Sequence, residues 1–222
     1  MTLWRLLQAI WTLLVQFWRE KTQKLETPAP APEPFPPTPL PDTQEAKTAI
    51  HEAGHMVAAW FCTFVDDVQA AHIGDSGGEV KYLVLDTADS AWCRMAISLA
   101  GVAAEARVFK RWRSIEARDD LRRVREFAGK LIGTKPPWKA LEEKRHLVEA
   151  AFTPALSEDE AKAIRLAYAM AKLLVEKHEI RLYRCAGLLL HRRQLTSADL
   201  TAAFGRRTFI RVASITRGFW LP

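Results

Sequence analysis

The chain has 222 residues, of which 49% are apolar and 26% charged; that supports one folded body with an extension and argues against a disordered chain or two large domains. Its net charge of +6 collects at the two ends: Arg5, Arg19, Lys21 and Lys24 against Glu20 at the start, and Arg206, Arg207, Arg211 and Arg217 with no acid after Gly205. The stretch between them is near neutral and carries no basic stripe interleaved with aromatics, so nucleic acid is not an expected partner, whereas basic ends suit an anionic membrane surface.

The first predicted element is LWRLLQAIWTLLVQFW, from Leu3 to Trp18. Its polar positions Arg5, Gln8, Thr12 and Gln16, continued by Arg19, recur every three or four residues. That is one narrow polar stripe on a helix otherwise made of Leu, Ile and Trp. Such a helix reaches about 24 Å, short of a hydrocarbon core of roughly 30 Å. Three readings are open. The helix lies in the membrane interface, where tryptophans prefer to sit; it spans as a short or tilted segment; or it packs on protein. If it spans, the excess of Arg19, Lys21 and Lys24 over Arg5 leaves the body in the cytoplasm. A cleaved signal peptide fits less well, because only Arg5 precedes the apolar run.

Residues 25–42 form a linker. Eight of the twelve prolines fall between Pro28 and Pro41, a density that no helix or central strand tolerates. The globular body is expected over 43–204, followed by a basic tail over 205–222. A helix is predicted over 43–63, capped by Asp42 or Thr43. Two strands follow, DVQAAHIG and GGEVKYLVL, joined by a turn at Asp75-Ser76-Gly77-Gly78. Helical patterns then dominate: 90–110, 117–132, 140–151, 157–190 with a break near Glu179, and 197–204. The expected fold class is mainly α with a small β-sheet, an α+β body. The three cysteines, Cys62, Cys93 and Cys185, are odd in number, widely spaced and in apolar helical contexts. They read as buried reduced thiols and suit a reducing compartment.

Within the first body helix, KTAIHEAGHMVAAWF contains H-E-x-x-H at His51, Glu52 and His55. Four helical residues rotate about 400°, so the two imidazoles leave nearly the same face one turn apart. Both can then reach one Zn²⁺. Glu52 can hold a metal-activated water and take its proton as general base. Gly54 sits mid-helix, where glycine costs about 1 kcal/mol relative to alanine, so close approach by a neighbour is expected. The bland alternative is a core helix whose histidines are merely hydrogen-bonded. A zinc site needs a third protein ligand. Spacing alone leaves Glu105, Asp119 and Asp120 open, and for the two aspartates helix capping is the simpler reading.

Taken in order, AIHEAGHMVAAWF, GGEVKY, SLAGVAAEARVF, IEARDDLRRVREFAG and the long helical segment to SADL resemble the peptidase domain of FtsH-type zinc proteases. The likeness covers roughly residues 44–204. It implies a zincin-like helix followed by a helical bundle, with His51, His55 and Asp120 binding Zn²⁺ and Glu52 as base. It also implies that Glu105 orients a zinc histidine and that Asp119 is a neighbour, not a ligand. The strand carrying Glu79, Val80, Lys81 and Tyr82 would pair with extended polypeptide substrate. Two departures stand out. The family's Gly-Arg is Gly101-Val102 here, and no G-x-x-x-x-G-K-[ST] occurs in the chain, where the family carries an ATPase module.

The leading expectation is a zinc metalloendopeptidase in the cytoplasm, associated with membrane through its N-terminal helix. It would cut flexible or unfolded chains without hydrolysing ATP itself, or borrow an ATPase partner in trans. Assembly into a homo-oligomer would follow the family. The alternative is a catalytically idle, peptidase-derived module that grips peptides or scaffolds a membrane complex.

Overall fold

The computed structural model describes residues 40–62, 64–75, 77–84, 87–111, 117–137, 149, 151–152 and 155–205. The chain divides after Pro36 into two units, and every described residue belongs to the second. The N-terminal helix, the linker up to residue 39, the basic tail from residue 206 and all but Glu149 and Ala151 of the helix expected over 140–151 lie outside the described residues. Among those residues the protein is mainly helical, with six helices and one three-stranded antiparallel sheet. None of these helices is long and apolar enough to cross a membrane.

Helix α1 (Gln44–Phe61) is the centre of the packing. Thr43 caps it, its hydroxyl accepting the Ala46 N–H at 3.2 Å. All thirteen residues from Ala49 to Phe61 are buried, so over this stretch neighbours surround the helix on most sides. It packs on α2 (Ala88–Phe109), on α5 (Glu179–Arg192) and on β1 (Val65–Gly74). Large side chains such as Ile50 and Met56 are fully buried, each contributing about 1.5–3 kcal/mol by leaving water. The expected close approach at Gly54 is present. A Cβ there would fall 2.4 Å from the Ala100 carbonyl oxygen of α2, so these two helices run closer than any side chain at that position would allow.

Strand β1 pairs in a hairpin with β2 (Gly77–Val84), in register from Val65–Val84 to Gly74–Gly77. It begins two residues before the predicted pattern does. Register shifts at Val65/Asp67 and Val68/Ala70 break the period of two that reveals a strand in sequence. Helix α3 (Arg118–Lys130) buries Leu121, Val124 and Ala128, an i, i+3, i+7 stripe facing α2 and α4 (Glu158–Lys177). Ser157 and Glu160 close a reciprocal cap at the start of α4. The predicted break falls at His178, between α4 and α5. A short strand, β3 (Gln194–Thr196), then adds to the other side of β1, giving the order β2-β1-β3. Helix α6 (Ser197–Phe204) closes the described chain under a Thr196–Asp199 capping box. Leu40, inside the predicted linker, packs partly buried against this core. All three cysteines are buried and unbridged.

Candidate metal centre

His51 and His55 leave α1 one turn apart, with ring centroids 4.6 Å apart and planes at 81°. Asp120 reaches them from the first turn of α3. Its Oδ2 lies 2.9 Å from His51 Nε2 and 3.1 Å from His55 Nε2. The simpler capping role is not what this aspartate does: α3 has no side-chain cap at Ala117, and Asp120 turns inward to the imidazoles. The other ring nitrogens are engaged as well. His51 Nδ1 donates to Glu105 Oε1 of α2 at 2.7 Å, and His55 Nδ1 donates to the Ile97 carbonyl at 2.7 Å.

This arrangement fixes the tautomers. A carbonyl and a carboxylate each accept a proton from Nδ1, so in the neutral rings both Nε2 atoms present lone pairs. Those lone pairs face an ionised carboxylate oxygen at hydrogen-bond distance. Three electron-rich atoms repel unless positive charge lies among them. The titration of the side chains expresses the same requirement. Burial lowers the His51 pKa, but its hydrogen bonds to Asp120 and Glu105 outweigh that and push it up to about 10. Burial likewise works against protonation of His55, and the Asp120 charge overrides it and raises the pKa. Burial raises Asp120, yet the two histidines hold its carboxyl well below the usual carboxylate range. Two imidazole nitrogens and one carboxylate oxygen, all within 4.8 Å of one another, are a donor set that suits zinc. Were an ion held by these three groups, a fourth position would face the cleft.

Glu52 lies beside this group and is 5% exposed. Among the described residues it makes no hydrogen bond or ion pair. Burial raises its pKa above the usual carboxylate value, against the pull of the two histidines. Its side chain lies flat on β2, where a Cβ on Gly78 would come within 2.4 Å of Glu52 Cγ. Gly101 of α2 serves His51 in the same way: a Cβ there would lie 2.6 Å from His51 Nε2. Val102, where the family resemblance would put an arginine, is fully buried in the core.

A cleft of about 630 Å³ opens over these groups, bounded by β2 and the start of α3. Tyr82 and Val80 line it from the strand. Burial holds the Tyr82 hydroxyl up to about 12. Lys81 and Glu79 are exposed and 3.7 Å apart. Asp119 reaches the cleft rim but not the histidines, and pairs with Arg122 at 3.6 Å. Every site residue predicted from the sequence thus lies at or beside one cleft. Sequence reasoning missed the Ile97 carbonyl, the contacts of Gly78 and Gly101, and Arg123, which follows Asp120 by three helical positions. Arg123 had a signal, since i and i+3 share a helix face, and the glycines signalled a close approach without naming what approaches. No family model matches the chain, and no curated protein is similar to it.

Proposed function

We propose that the chain is a zinc metalloendopeptidase of the FtsH type that hydrolyses peptide bonds in extended or unfolded polypeptide, independently of ATP. One observation carries this reading. Three ligand atoms meet, both histidines have their outer hydrogen bonds already made, and a buried carboxylate with no hydrogen bond among the described residues stands beside them. Bound zinc would polarise the scissile carbonyl and make water a competent nucleophile at neutral pH.

The side chains of the protein supply the rest. Glu105 and the Ile97 carbonyl keep the two rings in one tautomer and one orientation. Among the described residues nothing pairs with the outer edge of β2, which can align an extended chain without reading its side chains. Glu52 accepts the proton of the attacking water as its oxygen bonds to the carbonyl carbon. It returns that proton to the departing nitrogen as the C–N bond breaks. A carboxylate whose pKa is raised by burial is a stronger base than an exposed one. The basic N-terminal segment supports work at the cytoplasmic face of a membrane, and the family resemblance supports an ATPase in trans and a ring of like subunits.

The test uses the full chain and its Glu52→Gln variant. Elemental analysis should find one equivalent of zinc in both proteins. Unfolded casein should be cut by the wild type and about 10²–10⁴ times more slowly by the variant. Zinc in both with cutting by neither would leave an idle peptide-binding module. No stoichiometric metal would remove the reading altogether.

A further inference from the structure

The cleft does not end at the metal centre. It continues along β2, past Tyr82 to Leu83 and Val84, into a second depression walled by α2 and α3. Two guanidinium groups stand in that wall. Arg94 lies on α2 one turn before Ser98, and Arg123 lies on α3 one turn after Asp120. Among the described residues neither makes a hydrogen bond or an ion pair. Both line the depression together with Tyr82. Other cations of these elements are paired. Lys81 has Glu79, Arg122 has Asp119 and Glu126, and Arg107 has Glu179.

Arg94 is partly buried. A guanidinium that has lost part of its water and found no acceptor is costly, and a planar fork of donors is matched best by a carboxylate. Among the described residues the only acid lining this second depression is Glu79, which is paired with Lys81. A carboxylate on a bound molecule would match both groups. It would arrive on the chain that the β2 edge aligns, because the arginines flank that edge.

We propose that Arg94 and Arg123 form a subsite for acidic side chains of an extended polypeptide bound along β2, so that the protein selects acidic segments. This rests on the peptidase reading for its chemistry but not for its binding. Charge-assisted hydrogen bonds of this kind correspond to a preference of about tenfold or more, weakened by salt because Arg123 is exposed.

The experiment uses two labelled, proline-free peptides, identical except that one carries Glu where the other carries Gln. Their binding to the full-length Glu52→Gln protein is followed by fluorescence anisotropy, and their cleavage by the wild type is followed in parallel. The Glu peptide should bind about tenfold more tightly or better at low salt. R94Q/R123Q should erase the difference, and the wild type should show it in KM with kcat little changed. Should the double variant fail to fold, R123Q alone, at an exposed position, should reduce the preference. Equal binding of the two peptides overturns the subsite, and so does a preference that survives loss of both arginines. A single-stranded oligonucleotide that binds more tightly than either peptide overturns it as well. If nothing is cut while the preference follows the arginines, the peptidase reading falls and the subsite stands. If both peptides are cut with the same KM, the peptidase stands and the subsite falls.

Discussion

Gly101→Ala is the sharpest test of the centre, because it adds one methyl group and replaces no ligand. The new Cβ would lie 2.6 Å from His51 Nε2 and 2.7 Å from Cδ2 and Cε1. Contacting heavy atoms settle at about 3.5 Å or more, so the ring has to retreat by about 0.9 Å. It has little room to do so. Glu105 holds Nδ1 at 2.7 Å and Asp120 faces Nε2 at 2.9 Å, and a shift of that size breaks one or both. Loss of such an outer hydrogen bond lowers metal affinity about 10–100-fold. Global stability should change far less. Overpacking costs about 1–3 kcal/mol, while alanine gains about 1 kcal/mol over glycine in a helix. Gly129 on α3 is the control, since a Cβ there meets nothing within 4 Å. Zinc affinity would be measured by competition with a chromophoric chelator, and stability by urea titration of the metal-free proteins. Gly101→Ala should lose one to two orders of magnitude in zinc affinity and Gly129→Ala none. Unchanged affinity in Gly101→Ala would refute the view that His51 is held between α2 and Asp120.

Gly78→Ala attacks the other side of the site. Its Cβ would displace Glu52 and leave His51, His55 and Asp120 untouched, so zinc should remain stoichiometric while casein cleavage falls about 10²-fold or more. His178 governs a different property. Burial, and then the charges of Arg181 and Lys177, lower its pKa to about 4; its ring stacks on Phe61 at 3.7 Å and its Nδ1 accepts from Arg181 at 3.0 Å. The unfolded imidazole titrates near 6.5, so the unfolded state binds the extra proton first. The contribution is therefore complete above about pH 6.5 and is lost as pH falls toward 4, amounting to about 2 kcal/mol by pH 5. Urea midpoints at pH 8 and pH 5 should differ less in His178→Phe than in wild type, the comparison cancelling whatever the metal centre contributes. Equal differences in the two proteins would mean that His178 is protonated in the fold.

What could be read from the chain alone was whatever a single element encodes. The helix over α1 was visible in its apolar run and its threonine cap, and His51 and His55 were visible as a pair because one helical turn sets their spacing. Asp120 was not. It reaches His51 from 69 positions away, and no local pattern separates it from Asp119 next to it or from Glu105. Only its inward turn at the start of α3 does so, together with the resemblance that named it. The same limit explains Gly78 and Gly101. A glycine in a strand or helix announces that something comes close, but the group that comes close sits on another element. Strand β3 is a still plainer case: three residues between two helices carry no period, and pairing with β1 is what makes them a strand.

Arg94 and Arg123 show where the limit touches function. On the sequence they are ordinary charges on amphipathic helices, and a solvated face is the natural reading of such charges. The fold brings both to one depression beside β2, and among the described residues neither has a carboxylate partner. A metal centre of this kind is specified by a few ligands held rigidly, and those leave a trace in spacing. Selectivity for substrate is specified by charges left unmatched along the path of the chain to be cut. An unmatched charge can be recognised only after every partner has been located, which requires the tertiary structure. For that reason the arginine pair would discriminate better than the proposed zinc ligands between a general peptidase and one that selects its targets.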